Sequence, residues 1–171
     1  AFVGASSACA YPRICPVPFT EDTMWDGPPE PTNGPYAESK RLMMSLGRAY
    51  HEQHGFKAMF AVLANLYGPG DHITPERSHV VAALLQRVVA EPDELLVWGS
   101  GTPTREFLYI EDAADGMLAM LDWGRPDPLN IGTGVEVSIA ELARAVARAA
   151  GYAGPVRMDP TRPDGQPRKC L

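Results

Sequence analysis

The chain has 171 residues, 45% of them hydrophobic and 21% charged, with 15 Lys+Arg against 21 Asp+Glu and a formal net charge of -6. That is one globular domain's worth of polypeptide with apolar material for a core. The acidic balance, without Lys/Arg clusters, removes the electrostatic basis for binding nucleic acid through its phosphates. No apolar run approaches the roughly 20 residues that span a bilayer. The odd set Cys9, Cys15 and Cys170 has no Cys-x-x-Cys pair, so neither a disulfide framework nor a zinc site is suggested, and a reduced cytoplasmic chain is expected.

Short apolar runs alternate with longer helical stretches, punctuated by Gly and Pro, which is the pattern of α/β architecture. Ala1 to Ala5 reads as a short buried strand running into Ser6 and Ser7. From Tyr11 to Pro35, prolines at 12, 16, 18, 28, 29, 31 and 35 make a long irregular excursion, of a length usually tied to function or disorder. Tyr36 to His54 is a predicted helix, opened by Pro35 and closed by Gly55, with Leu42, Met43, Leu46 and Tyr50 along an apolar face. Phe56 to Leu63 fits the next strand, and Asn65 to Asp71 a loop.

A second helix is predicted over His79 to Ala90, followed by strands over Leu95 to Trp98 and Phe107 to Ile110 and a helix from about Glu111 to Trp123. Leu129 to Ile131 is a further strand. After the Gly132-Thr133-Gly134 turn, Ser138 and Glu141 form a capping box opening the next helix. Val156 to Met158 completes the pass, and the chain closes on a polar turn at Leu171. The 171 residues contain no Gly-x-Gly-x-x-Gly or Gly-x-x-Gly-x-x-Gly turn of the kind that receives a dinucleotide pyrophosphate. If a dinucleotide is used, much of its site is expected outside this chain.

Tyr36 and Lys40, four apart at the start of a helix, share one face, and an ammonium favours a phenolate beside it. Taken alone, the pair also reads as an aromatic residue beside a solvated lysine. About thirty residues upstream, the strand ending in Ser6-Ser7-Ala8-Cys9 puts hydroxyls at a carboxyl end, where open α/β sheets carry their ligands. His51-Glu52-Gln53-His54 has its histidines three apart instead of the four of a zinc protease helix and reads as a solvated helix end.

A serine at that strand end, with Gly34-Pro35-Tyr36-Ala37-Glu38-Ser39-Lys40 and Asn65-Leu66-Tyr67-Gly68-Pro69, resembles the extended, sugar-nucleotide branch of the short-chain dehydrogenase/reductase superfamily. Ser7-Ala8-Cys9 with Tyr11-Pro12, Glu30-Pro31-Thr32-Asn33, Ser78-His79-Val80, Val97 to Pro103, Arg105-Glu106-Phe107 and Pro163 to Lys169 together are similar to the GDP-L-fucose synthase family. The segment ahead of His79, Asp71-His72-Ile73-Thr74-Pro75-Glu76, belongs to the same likeness.

The resemblance implies the later part of a Rossmann-like doubly wound parallel sheet with a smaller C-terminal substrate-binding lobe. Residues 1–66 would be the cofactor part with the Tyr-x-x-x-Lys helix, and 67–171 mainly the substrate lobe, interleaved with returning Rossmann elements. It also implies NADPH-dependent 3,5-epimerisation and 4-reduction of GDP-4-keto-6-deoxy-mannose, as part of a longer enzyme, in a homodimer without membrane or nucleic-acid partner or metal.

By resemblance, Cys9 is the epimerisation base and His79 the acid, Ser7 binds the carbon-4 carbonyl, Tyr36 protonates it, and Lys40 supports Tyr36 and the nicotinamide ribose. The chemistry agrees, because carbons 3 and 5 flank the ketone and their protons can leave through an enolate. Ala5, Ser6, Ser7, Ala8, Leu63, Ala64, Asn65 and Leu66 match cofactor-lining segments, together with Tyr36, Lys40 and His79. Arg87 and Arg105 are candidates for the substrate diphosphate, Trp98 for the sugar or base, and Asp164 for the nucleoside.

Ala8, Leu63-Ala64 and Tyr109 depart from the family's usual serine, Pro-Thr and histidine. Two rival readings stay open: another NAD(P)-dependent epimerase, dehydratase or reductase of the same branch, and a non-catalytic nucleotide-sugar-binding remnant.

Overall fold

A computed structural model of the chain describes residues 1–74, 78–90 and 93–171; Pro75 and Glu76, in the segment ahead of His79, lie outside the described residues. The strands are β1 (Phe2–Ser7), β2 (Ala58–Leu63), β3 (Asn65–Tyr67), β4 (Leu95–Trp98), β5 (Thr104–Tyr109), β6 (Pro128–Ile131), β7 (Glu136–Ser138), β8 (Val156–Asp159) and β9 (Arg168–Lys169). The helices are α1 (Gly34–His54), α2 (Val80–Ala90), α3 (Ile110–Trp123) and α4 (Ile139–Ala149). They form two compact units: Ala1–Leu66 with Glu106–Val135 and Lys169–Leu171, and Tyr67–Arg105 with Glu136–Arg168.

The first unit is built on a parallel sheet in the order β1-β2-β6, with Phe2 opposite Ala58 and Ser7 opposite Leu63. All six residues of β2 are buried, as expected of a central parallel strand covered on both faces. Its alternation divides the core. Ala58, Phe60 and Val62 pack with Met44 of α1 and with Tyr11, Phe19 and Met24 of the proline-rich excursion. Met59, Ala61 and Leu63 pack with Ala113 and Met120 of α3. The result is a helix-sheet-helix sandwich.

The inward face of α1 differs from the expected one. Ala37, Arg41 and Met44 are buried, whereas Leu42, Leu46 and Tyr50 are more than half exposed. Packing decides this: a Cβ at Gly47 would overlap the Phe60 ring, so α1 meets the sheet through small residues and Phe60 fills the space they leave. The helix ends where Gly55 turns left-handed at φ +63°, and its amide donates to His51 O at 2.8 Å.

The excursion from Tyr11 to Pro35 is ordered by its own contacts. Short 3-10 turns at Glu21–Trp25 and Pro31–Asn33 interrupt it, and the buried guanidinium of Arg41 gathers it in. That group donates to the carbonyls of Ala10 (2.7 Å), Met24 (2.8 Å) and Gly27 (2.9 Å). Tyr11 donates to Asn130 Oδ1 at 2.7 Å, and Asn130 Nδ2 donates to Phe19 O at 2.9 Å. Burial drives the Tyr11 phenol well above its ordinary range, partly opposed by the Asn130 contact.

Other expectations shift at element ends. β1 continues through Ser7 and a 3-10 turn, Ala8–Ala10, follows it. Asn65–Tyr67 is a short strand where a loop was expected, and β7 and β9 add strands that apolar periodicity does not announce. The last residues, expected as a polar turn, pack against the first unit: Cys170 is buried, its carbonyl accepts Phe19 N at 2.8 Å, and Leu171 N donates to Glu106 Oε2 at 2.8 Å. The buried Glu106 carboxylate also accepts the amides of Thr133 and Gly134, which holds the turn after β6.

The second unit centres on the parallel pair β4 and β8, with Leu95 opposite Val156 and Trp98 opposite Asp159. Leu84 and Val88 of α2 and Ala143, Val146 and Ala147 of α4 cover it. The capping box forms as expected: Glu141 N donates to Ser138 Oγ at 3.2 Å and Ser138 N to Glu141 Oε2 at 3.0 Å. No described helix is long and apolar enough to cross a membrane.

Candidate active site

In the first unit, the carboxyl end of β1 turns directly into the 3-10 helix, and Ser7 serves as its cap. Ser7 Oγ accepts Cys9 N at 3.2 Å, which fixes the turn and leaves the hydroxyl proton to donate. Lys40, on the second turn of α1, donates from Nζ to Ala5 O at 2.8 Å and stands 5.5 Å from the centroid of the Tyr36 ring. Tyr36 is 49% exposed. The lysine therefore ties the helix to the strand that carries Ser7 while lying against the phenol two residues into the helix.

The segments expected to line a cofactor divide by burial. Ser6, Ala8, Leu63 and Ala64 are buried, and Ala64 N donates to Ile131 O at 3.2 Å. Ser6 Oγ is buried with no hydrogen-bond partner among the described residues. Leu66 packs against the core cluster beneath α3, and Asn65 Nδ2 donates to Glu106 O at 2.7 Å, so both are held by this unit's own structure.

One residue of this site was not anticipated. Lys169 Nζ donates to Cys9 Sγ at 2.9 Å across 160 residues of sequence. Local spacing carries no signal for such a pair, although Lys169 does stand in the C-terminal motif that contributes to the resemblance.

The second unit holds His79, Arg87, Trp98, Arg105 and Asp164. His79 stands just ahead of α2 with a 74% exposed side chain, and its Nδ1 is 3.2 Å from Asp71 Oδ1. That contact engages one of the two ring nitrogens, Nδ1. The other oxygen, Asp71 Oδ2, is buried without a partner among the described residues.

Trp98, at the end of β4, is 62% exposed and has the Arg162 guanidinium 5.2 Å from its ring. It is a surface platform rather than a core aromatic. Asp164 accepts Ser100 N and Ser100 Oγ, each at 2.8 Å, so it first of all shapes the turn after Trp98. Arg105 donates to Thr104 O at 2.7 Å, and a Cβ on Gly165 would lie 3.0 Å from its Nη2, which places the guanidinium against Gly165, the residue after Asp164. Trp98, Arg105 and Asp164 are thus brought to one region of the unit. Arg87 occupies the last turn of α2.

Nearby, Glu136 accepts a bond from Thr104 Oγ1 at 2.6 Å and pairs with the Arg168 guanidinium. The Arg168 contact, aided by Thr104, holds its carboxyl down to about 2. Among the described residues no group of His, Cys, Asp and Glu could hold a metal ion.

The chain has recognisable relatives among known proteins. Residues 1–132 match the NAD dependent epimerase/dehydratase family. The chain is 42% identical over 175 residues to the probable GDP-L-fucose synthase 1 of Oryza sativa subsp. japonica, covering 99% of this chain and 53% of that protein. It is 38% identical over 184 residues to the GDP-L-fucose synthase of Escherichia coli (strain K12), covering 99% of this chain and 57% of that protein. Among solved structures, a GDP-L-fucose synthetase from Naegleria fowleri bound to NADP superposes with a TM-score of 0.87 at 29% identity, over 98% of this chain and 56% of that one. The chain spans about half the length of the curated relatives it matches.

Proposed function

This chain belongs to the NAD dependent epimerase/dehydratase family, and we propose that it carries the proton-transfer and reducing groups of a GDP-L-fucose synthase: NADPH-dependent 3,5-epimerisation and 4-reduction of GDP-4-keto-6-deoxy-mannose. The observation that carries the reading is the anchoring of Lys40 to Ala5 O, beside Tyr36 and on the strand that ends in Ser7 and Cys9. Curated relatives named GDP-L-fucose synthase at 38% to 42% identity support the substrate.

Cys9 takes the proton from carbon 3 or carbon 5 of the keto sugar, and His79 returns one on the opposite face. Ser7 donates its hydroxyl proton to the carbon-4 oxygen, where negative charge gathers in the enolate. Once both centres are inverted, Tyr36 protonates that oxygen as carbon 4 is reduced, and Lys40 supports the phenol's charge. Arg87 and Arg105 bind the diphosphate, Trp98 covers the sugar or base, and Asp164 accepts from the nucleoside while keeping its turn at Ser100.

The residues present fit the nicotinamide half of NADPH. The exposed Tyr36 face, the Lys40 ammonium and the orphaned Ser6 hydroxyl lie in or beside the strand end that Ala5, Ser6, Ala8 and Leu63 to Leu66 line. When bound, the cofactor supplies the hydride.

The protein works in the cytoplasm, where thiols such as Cys9 stay reduced. It works as a homodimer, supported by the exposed apolar side chains of α1 (Leu42, Leu46, Tyr50) and α3 (Leu118, Leu121). The test is product analysis: the intact protein with NADPH and GDP-4-keto-6-deoxy-mannose yields GDP-L-fucose by NMR. Recovery of unchanged keto sugar, with NADPH not oxidised, would overturn the assignment.

A further inference from the structure

We propose that Lys169 is a positioning residue for the epimerisation base: its ammonium holds Cys9 in the thiolate form and aims the sulfur from the turn after β1. This rests on the reading of Cys9 as the base. The contact is Nζ to Sγ at 2.9 Å. An ammonium has three N–H donors and no acceptor, so the sulfur must be the accepting partner, and a thiolate accepts far better than a thiol.

Both ends of the contact are fixed by other bonds. Cys9 is set by its amide on Ser7 Oγ at 3.2 Å and by the burial of Ala8 and Ala10 on either side. Lys169 is followed by the buried Cys170, whose carbonyl accepts Phe19 N, and by Leu171, whose amide reaches Glu106 Oε2. The side chains can meet without either backbone segment being free to drift.

Four other charged or titratable groups on the elements around this turn, Lys40, Arg41, Glu106 and Cys15, have partners of their own. From α1, Lys40 donates to Ala5 O beside Tyr36, and Arg41 donates to the carbonyls of Ala10, Met24 and Gly27. Glu106 accepts the amides of Thr133, Gly134 and Leu171. Cys15 meets Thr23 Oγ1 at 3.2 Å. Lys169 donates to the sulfur directly.

The proton balance gives the lysine a purpose beyond packing. The proton passes from carbon to Sγ, the C–H electron pair becomes the enolate, and the thiolate becomes a neutral thiol; Lys169 stays an ammonium throughout. Inverting two carbons in one turnover requires Cys9 to shed that proton to water between rounds. An ammonium beside the sulfur favours this reset each time.

The test reads the sulfur without any sugar or nucleotide. Alkylation of Cys9 by iodoacetamide is followed against pH in the intact protein, with peptide mass spectrometry separating Cys9 from Cys15 and Cys170. The wild type reacts with a midpoint below the ordinary thiol value of about 8.5. Lys169→Met moves that midpoint up by about one pH unit or more, and Lys169→Arg restores most of the shift. Equal midpoints for wild type and Lys169→Met, or an Lys169→Arg that behaves like Lys169→Met, would overturn the proposal.

A second measurement needs no lysine variant. The thiolate absorbance lost on Cys9→Ser titrates Cys9 in the otherwise unaltered protein, and a midpoint at or above about 8.5 defeats the proposal by itself. A protein that passes these tests but leaves the keto sugar untouched would contradict the proposed function and not the Lys169–Cys9 pair.

Discussion

Lys40 Nζ sits 2.8 Å from the carbonyl oxygen of Ala5, so a helix side chain is bonded to the strand whose last residue is Ser7. The same ammonium lies 5.5 Å from the Tyr36 ring centroid, which links helix, strand and phenol through one charge. Lys40→Met keeps most of the aliphatic stem and removes the charge. Steady-state NADPH oxidation with the keto sugar should fall by about 100-fold or more, as expected for loss of support to a general acid, with the fold retained by circular dichroism. Near-wild-type oxidation by a folded Lys40→Met would show that Tyr36 needs no cation.

Arg41 is expected to matter for stability rather than chemistry. Its buried guanidinium satisfies carbonyls of Ala10, Met24 and Gly27, and Arg41→Met leaves them without it. A loss of about 3 kcal/mol follows from charged, buried hydrogen bonds of this kind, visible as a lower urea midpoint. An unchanged midpoint would mean that the excursion between Tyr11 and Pro35 is held by Phe19, Met24 and Tyr11 alone.

The ion pair of Glu136 with Arg168 makes a pH prediction whose sign is fixed by the direction of its shift. Glu136 is held down to about 2 from an ordinary value of 4.5, chiefly by Arg168 and then by Thr104. Its stabilising effect is therefore fully present above pH 4.5 and is lost as pH falls from there toward 2. Glu136→Gln should flatten the decline of urea stability over that acid window relative to wild type. Parallel declines for the two proteins would remove Glu136 from the acid response.

The exposed apolar row on α1 predicts self-association. Leu46 is 51% exposed, flanked along the helix by Leu42 at 59% and Tyr50 at 56%. Leu46→Glu puts a charge in the middle of that row and should halve the mass seen by light scattering, without altering the secondary structure. A variant of unchanged mass would place any dimer contact elsewhere.

What the sequence revealed and what it hid follow from the range of the interactions. Gly55 as a helix stop, the Ser138–Glu141 capping box and the strand from Leu95 to Trp98 depend on neighbours a few residues away, and they are legible. The inward face of α1 is not. Leu42, Leu46 and Tyr50 form a more apolar stripe than Ala37, Arg41 and Met44, yet the second set faces inward, where Gly47 admits the Phe60 ring and Arg41 meets its carbonyls. A buried arginine becomes intelligible once folding brings around it the carbonyl of Ala10, at the end of the 3-10 turn, and those of Met24 and Gly27 in the excursion.

The candidate site shows the same limit. Tyr36 and Lys40 are a short-range pattern and could be read directly, as could the hydroxyl of Ser7 at a strand end. Lys169 reaches Cys9 from 160 residues away, and Asp71 reaches His79 across a segment without regular periodicity. The strands β7 and β9 have 3 and 2 residues, too few for alternation to be visible.

In the proposed reaction, protons first move at carbons 3 and 5 and carbon 4 is then reduced. The direct measurement follows deuterium entry at those carbons alongside NADPH oxidation, with GDP-4-keto-6-deoxy-mannose in deuterated water, for the intact wild-type protein and for Cys9→Ser. The wild type should incorporate deuterium at both carbons and oxidise NADPH, and Cys9→Ser should lose the exchange. Oxidation by the wild type without deuterium at either carbon would contradict the account, leaving a simple keto-sugar reductase in which Cys9 and His79 have no part in proton transfer.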